Sequence, residues 1–152
     1  MELLGTGFYW NDLTVGARYR TYGRTITESD VIAFVTHAGM LESLFLDREY
    51  RKTHSAMEGH AAPALLVLSI AEGLTLNATG QGTGLAFLNM QMDVKRPVVV
   101  GDTIHVELEI LEARKTSKSE RGLVRTKNLV VNQRGETVIE YTPQRLMAAR
   151  PD

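Results

Sequence analysis

The chain has no cysteine. Disulfides, thiolate metal sites and a cysteine nucleophile are therefore excluded, and a reducing compartment, the cytoplasm, is expected. Charge of one sign is also lacking: 17 Lys and Arg stand against 18 Asp and Glu, a net charge of −1. No basic excess points to a nucleic-acid partner. Long hydrophobic runs are missing too. The most apolar stretch, Pro63 to Asn77, is too short for a membrane span and carries Glu72 within it, so no membrane partner is expected. No basic segment followed by a long apolar run opens the chain, so no signal peptide is read, and there are neither repeats nor low-complexity segments.

What is present is ordinary for a soluble globular protein, with 43% hydrophobic and 23% charged residues. A length of 152 residues favours one domain, 1–152, with enough chain to bury a core. The organising stretch is Pro63–Asn77, PALLVLSIAEGLTLN. Wound as a helix it is apolar on every side, which predicts a buried central helix. Pro63 suits the first turn, and Gly80, Gly82 and Gly84 end the run. Glu72 does not belong in such a run: a buried acid must find a partner, take up a proton or do a job.

Before this helix, 17–25 reads as a first strand. Thr27 and Asp30 offer a capping pair for a short helix over 28–38. Residues 39–62 read as loop with a helical turn at 47–52. After the central helix, alternation over Leu85–Met90 and again over Ile104–Ile110 predicts strands with one face buried. Leu123–Asn132 and Thr137–Met147 add two more around a hairpin turn at Gln133-Arg134-Gly135. The plan is α+β, a long helix followed by an antiparallel meander that wraps it.

Several stretches resemble the MaoC-like hydratases and dehydratases, including the (R)-specific enoyl-CoA hydratases: FYWNDLTVGARYRTYGRTITESDVIAF at 8–34, LDREYRK at 46–52, PALLVLSIAEGL at 63–74, VKRPVVVGDTIHVELEIL at 94–111 and GLVRTKNLVVNQRGETV at 122–138. The resemblance covers nearly the whole chain. It implies a hot-dog fold, in which a curved antiparallel sheet wraps a long central helix. It also implies a homodimer or dimer of dimers joined edge to edge, and a coenzyme A thioester as substrate or ligand, with no further cofactor and no metal.

The same resemblance exposes a departure. The family's Asp and His, which activate water and protonate carbon, lie five residues apart in a stretch that aligns with GMLESLF, Gly39 to Phe45. Met40 and Phe45 stand in their places, and neither moves a proton. A slipped alignment would put Glu42 and Asp47 there instead. At the start of the central helix, where the family usually has His-Gly to polarise the thioester carbonyl, this chain has Pro63-Ala64; the Ala64 N–H remains for that task, or simply forms a helix end. Met40, Phe45, Pro63, Ala64 and Leu65 are thereby expected to line the acyl pocket, or to plug it.

Two residues are candidates for catalysis. Glu72 occupies a position that resemblance places at the reaction site. It also follows Ala64 by eight residues, the spacing of oxyanion glycine and catalytic Glu in one group of hot-dog thioesterases. Its structural alternative is a carboxylate paired with an arginine. His37, near the replaced pair, could serve as base or be a surface cap. His54 and His60 lie in a polar loop without metal-ligand spacing, and His105 reads as solvent-facing sheet. Lys95, Arg96, Arg114, Lys115 and Lys118 could meet coenzyme A phosphates or be solvated charge. Three functions follow: an acyl-CoA hydratase or dehydratase (a hydro-lyase) lacking the usual pair, a thioesterase using Glu72, or a non-catalytic acyl-CoA-binding subunit.

Overall fold

The computed structural model describes every residue except Glu2 and Asp152. A 3-10 turn, Trp10–Asp12, precedes two short strands, β1 (Arg18–Arg20) and β2 (Arg24–Thr25). Three short helices follow: α1 (Glu28–Ala38), α2 (Ser43–Leu46) and α3 (Arg48–His54). The long helix α4 (Ala64–Thr79) then leads into β3 (Gly84–Val94), β4 (Thr103–Lys115), β5 (Gly122–Val131) and β6 (Thr137–Met147). The strands form one antiparallel sheet in the order β1-β4-β5-β6-β3, with β2 also paired to β4. None of the helices among the described residues is long and apolar enough to cross a membrane.

The core is the seam between α4 and the sheet. Val67, Leu68 and Ala71 of α4 pack on Ile104 and Val106 of β4, Val130 of β5, and Val138, Ile139 and Tyr141 of β6, with Ile26 and Val98 closing one end. The period-2 alternation in β4 does what it predicted: Ile104, Val106, Leu108 and Ile110 are buried while the residues between them are half exposed. Each methylene removed from water in such a seam is worth about 0.8 kcal/mol, which makes this contact the main source of stability.

Helix α1 spans the residues its sequence predicts. Thr27 accepts from the Asp30 N–H at 3.2 Å while Asp30 accepts from the Thr27 N–H at 2.8 Å, a reciprocal cap. Gly39, at φ 70°, closes the helix in the left-handed region where a side chain would be strained.

Three expectations are corrected. The first strand is split, because Thr21 replaces part of the ladder with its side chain: its hydroxyl accepts from the Val106 N–H at 2.9 Å and donates to the Tyr22 carbonyl at 2.8 Å. The 39–62 segment holds two helices rather than one turn, since Asp47 ends α2 and caps α3 by accepting from the Tyr50 N–H at 2.9 Å. Finally, α4 is not buried all round. Leu65 is 53% exposed, and Ser69, Gly73 and Asn77, at i+4 spacing, continue the same open stripe. Alongside it β3 is an edge strand with no buried residue, carrying Leu85, Phe87, Leu88 and Val94 into the open. Alternation reports the pleat; here only Met90 and Met92 reach the core, and they are half-buried.

The turn from β3 to β4 is tied to the β5–β6 hairpin through one buried acid. Asp102 accepts from the Val99 N–H at 3.0 Å, from Gln133 Nε2 at 2.7 Å and from Arg134 at 3.3 Å. Burial alone would raise its pKa. The Gln133 and Val99 hydrogen bonds, with the Arg134 guanidinium, outweigh that and hold the carboxyl below its ordinary value. Asp102→Asn turns a donor toward these donors and is expected to cost roughly 1–3 kcal/mol at pH 7 in urea denaturation. Because the native carboxyl is shifted down, its contribution is complete above the unfolded pKa of about 3.9 and is lost as pH falls through the lower native value. The gap between wild type and variant should therefore narrow in titrations carried below about pH 4. A gap that stays constant with pH would show that Asp102 is not the linchpin.

Candidate active site

Met40 and Phe45, the residues that the resemblance sets opposite the family's Asp and His, sit where α1, α2 and the first half of α4 meet. Val31 and Val35 of α1, Phe45 of α2 and Leu66 of α4 form a buried apolar cluster, with Phe34, Met40, Leu44, Ala62, Ile70 and Val100 packed around it. Gly39 reverses the chain so that the Met40 N–H donates back to the Val35 carbonyl at 2.9 Å. Met40 and Phe45 thus serve as packing, and among these side chains there is no acid or base.

Immediately beyond, the chain is anchored by an imidazole. His60 Nε2 donates to the Phe45 carbonyl at 2.7 Å, and its own carbonyl accepts from the Val100 N–H at 2.8 Å. A carbonyl only accepts, so Nε2 carries a hydrogen, and in the neutral ring the lone pair is on Nδ1. Nδ1 lies 3.8 Å from a Glu28 carboxylate oxygen, and the His60 side chain is only 10% exposed. Both residues line a cleft of about 600 Å³ together with Arg48, Arg51, Lys52 and Glu58. His60 was passed over in the sequence because its neighbours are polar loop residues; only the fold brings Glu28, 32 positions earlier, against it.

Pro63 is the N-cap residue of α4 and supplies no side-chain cap, so the first-turn N–H groups from Ala64 onward keep their donor capacity and the positive end of the helix dipole. Pro63 is buried, Ala64 half-buried and Leu65 exposed, so these three point in different directions.

Glu72 is on the second half of α4, about 12 Å along the axis from Ala64. It faces β6 and forms an ion pair with Arg145. The pair is largely shielded, at 19% and 14% side-chain exposure, and the Arg145 guanidinium lies 5.6 Å from the Phe87 ring centre. The other carboxylate oxygen, Oε1, is buried with no hydrogen-bond partner among the described residues, as are Asn128 Oδ1 and Tyr141 Oη. Burial, then the Glu72 charge, push the Tyr141 hydroxyl well above its ordinary pKa, so it stays a neutral donor. Thr75 uses its hydroxyl on the Ala71 and Glu72 carbonyls. A cleft of about 410 Å³, bordered by Leu76, Gly84 and Phe87, opens over the ion pair.

The remaining candidates are scattered. His37 is exposed on the last turn of α1. His54 stacks on Tyr50 with ring centres 4.1 Å apart, and His105 is bonded to Glu107 at 3.1 Å with its side chain 13% exposed, less open than a solvent-facing strand position predicts. Lys95, Arg96, Arg114 and Lys115 each have an acidic partner nearby, in Asp93, Glu136, Glu112 and Glu120. Among the described residues there is no cluster of three or more His, Asp and Glu that could hold a metal.

A long helix on a curved antiparallel sheet is shared with solved structures of high similarity. A monoamine oxidase regulatory protein from Archaeoglobus has 29% identity and a TM-score of 0.84, over 96% of this chain and 97% of that one. A MaoC-like dehydratase from Rhodospirillum rubrum gives 25% and 0.84 over 96% and 100%, and the unliganded R-hydratase of Pseudomonas aeruginosa gives 27% and 0.78 over 95% and 88%. A Mycobacterium tuberculosis protein with a double hot-dog fold aligns at 24% identity and a TM-score of 0.84, this chain spanning 46% of it. The class is thus a MaoC-like hot-dog domain. Residues 13–141 match the family described as FAS1-like, dehydratase domain region, and the chain belongs to that family. No curated protein sequence matches it.

The Glu72–Arg145 pair generates a direct test. Arg145→Met strands a shielded carboxylate and is expected to lower stability by roughly 2–3 kcal/mol, toward the low end for a broken pair because some solvent reaches it. Adding Glu72→Gln should recover most of the loss in thermal or urea unfolding. Equal and additive losses in the two single variants and the double variant would show that the residues are not coupled.

Proposed function

We propose that this chain is a hydratase/dehydratase-family protein that binds a coenzyme A thioester as a homodimer and does so without the family's Asp/His pair. The observation that carries this reading is the apolar packing of Met40 and Phe45 against Val31, Val35 and Leu66 at the place where the pair would act. These side chains are packed against one another, so an acyl group is held beside this cluster rather than within it. The membership of the family supports a hydro-lyase reaction as its chemistry, and the titrating groups for it would have to come from outside the family's usual positions.

The exposed stripe of α4 and the open edge of β3 support the dimer. A second copy pairing its β3 antiparallel would cover Leu85, Phe87, Leu88 and Val94 and satisfy the free strand edge. The same two-fold would set the first turn of one α4 beside the Glu72 half of the other, since β3 runs back along the helix that precedes it. The absence of cysteine favours the cytoplasm as its setting.

A second reading rests on Glu72. Glu72 borders a cleft, and its Oε1, though buried, has no hydrogen-bond partner among the described residues, so a turn of the side chain into the cleft would let the carboxylate attack a thioester carbonyl or activate a water, with Ala64 and Leu65 N–H groups of the partner helix polarising that carbonyl. Arg145 weakens it as a nucleophile by holding the other oxygen, and for this reason it stands second. Acyl-CoA hydrolysis, read as free thiol, that is unchanged by Glu72→Gln would end it.

The first reading is tested by Met40→Asp with Phe45→His. Restoring the pair should raise hydration of a short enoyl-CoA, followed by loss of enoyl absorbance, on the order of 100-fold over the native chain. Circular dichroism would verify that the variant, with two polar groups in an apolar cluster, is folded. A folded variant that binds the thioester but gains no activity would refute the idea that these two positions separate this chain from its active relatives.

A further inference from the structure

We propose that His60 is a catalytic base acting on the bound thioester, with Glu28 as its positioning residue, in a site distinct from the one left apolar at Met40 and Phe45. The proposal rests on the thioester reading above and supplies the acid–base group that reading lacks.

Four histidines are present, and the fold treats them differently. His37 is exposed, His54 is stacked on Tyr50, and His105 is bonded to Glu107 on the outer side of β4. His60 alone combines near-complete burial, a fixed tautomer and access to a cleft. The Phe45 carbonyl holds Nε2–H at 2.7 Å, which leaves the Nδ1 lone pair without a hydrogen bond. Glu28 Oε1 is 3.8 Å from Nδ1, too far for a hydrogen bond and close enough to stabilise an imidazolium. Imidazole with one nitrogen anchored to backbone, the other turned to a cavity and a carboxylate alongside is the arrangement that general-base catalysis needs.

The cleft also has a position suited to the reaction. Val100 lines it and packs against the apolar cluster of Phe45 and Leu66. A thioester lying in the cleft against Val100 would present its first carbons toward Nδ1. Arg48 and Arg51, which also line the cleft, have no acidic side-chain partner among the described residues and offer positive charge to the phosphate-bearing end of the carrier.

The step balances with water as its only co-reactant. Nδ1 takes a proton from water as the oxygen bonds to carbon 3 of the enoyl thioester. The carbon 2–carbon 3 double bond is thereby reduced to a single bond, and its electron pair moves through carbon 2 onto the thioester oxygen. The imidazolium, stabilised by Glu28, then returns the proton from Nδ1 to carbon 2 as the carbonyl re-forms, and the neutral imidazole is regenerated. Dehydration is the reverse.

The test uses the full-length chain with crotonyl-CoA, following both binding by calorimetry and loss of enoyl absorbance. His60→Gln, whose amide can still donate to the Phe45 carbonyl, should reduce kcat about 100-fold with the melting temperature held. Glu28→Gln, at a rim position 59% exposed, should lower kcat about tenfold with KM unchanged, and Glu28→Asp should recover part of it. Hydration by wild type that survives His60→Gln would overturn the proposal. Thioester binding with no hydration by wild type would overturn it too while leaving the thioester reading in place, whereas failure to bind any coenzyme A thioester would remove both.

Discussion

Everything in this molecule is placed by one apolar contact, the seam of Val67, Leu68 and Ala71 against the concave side of β4, β5 and β6. That seam fixes which half-turns of α4 face inward, and so decides that Leu66 meets Phe45, that Glu72 meets Arg145 and that Leu65, Ser69 and Gly73 face out. A rotation of the helix by one residue, about 100°, would undo all three placements at once. Packing at crystal-like density allows no such slippage without opening voids.

Two kinds of polar order are built on this seam. At the β3–β4 turn a buried carboxylate has its hydrogen bonds met from three sides, and it locks two loops together. Beneath the second half of α4 the order is incomplete: Glu72 is satisfied at one oxygen, and Asn128 and Tyr141 keep an oxygen each without a partner among the described residues. Buried groups left in that state cost free energy, so they belong either to a hydrated pocket or to a site shaped for something that binds there. A small, partly open space of about 40 Å³ borders Thr75, Asn128 and Arg145, enough for one or two waters by volume.

Much of the fold was legible in the sequence because it depends on local rules. The Thr27–Asp30 cap and Gly39 bounded α1, alternation marked β4, and Gln133-Arg134-Gly135 marked the hairpin. The family resemblance was legible from ordered motifs along the whole chain. What failed was inference from hydrophobicity alone. The all-apolar look of Pro63–Asn77 suggested complete burial, yet burial of the outer stripe requires something beyond one chain. At the site the sequence offered residue types rather than partners. Met40 and Phe45 are apolar by type and pack as such, and the arginine partner of Glu72 was foreseen as a type but not as Arg145, 73 positions later. His60 and Glu28 could not be paired from sequence, since neither has a local motif and their meeting depends on how α1 lies over the approach to α4.

The placement of β1 has a bearing on how the chain is made. Arg18 pairs with Glu109 and Arg20 with Glu107, so the first strand has no partner until β4 has been synthesised. The β4–β5–β6 meander closes short loops, whereas the β1–β4 pairing closes one of nearly 90 residues, at a higher entropic cost. The N-terminal segment is therefore the last part of the sheet to settle. Until it does, one edge of β4 remains open.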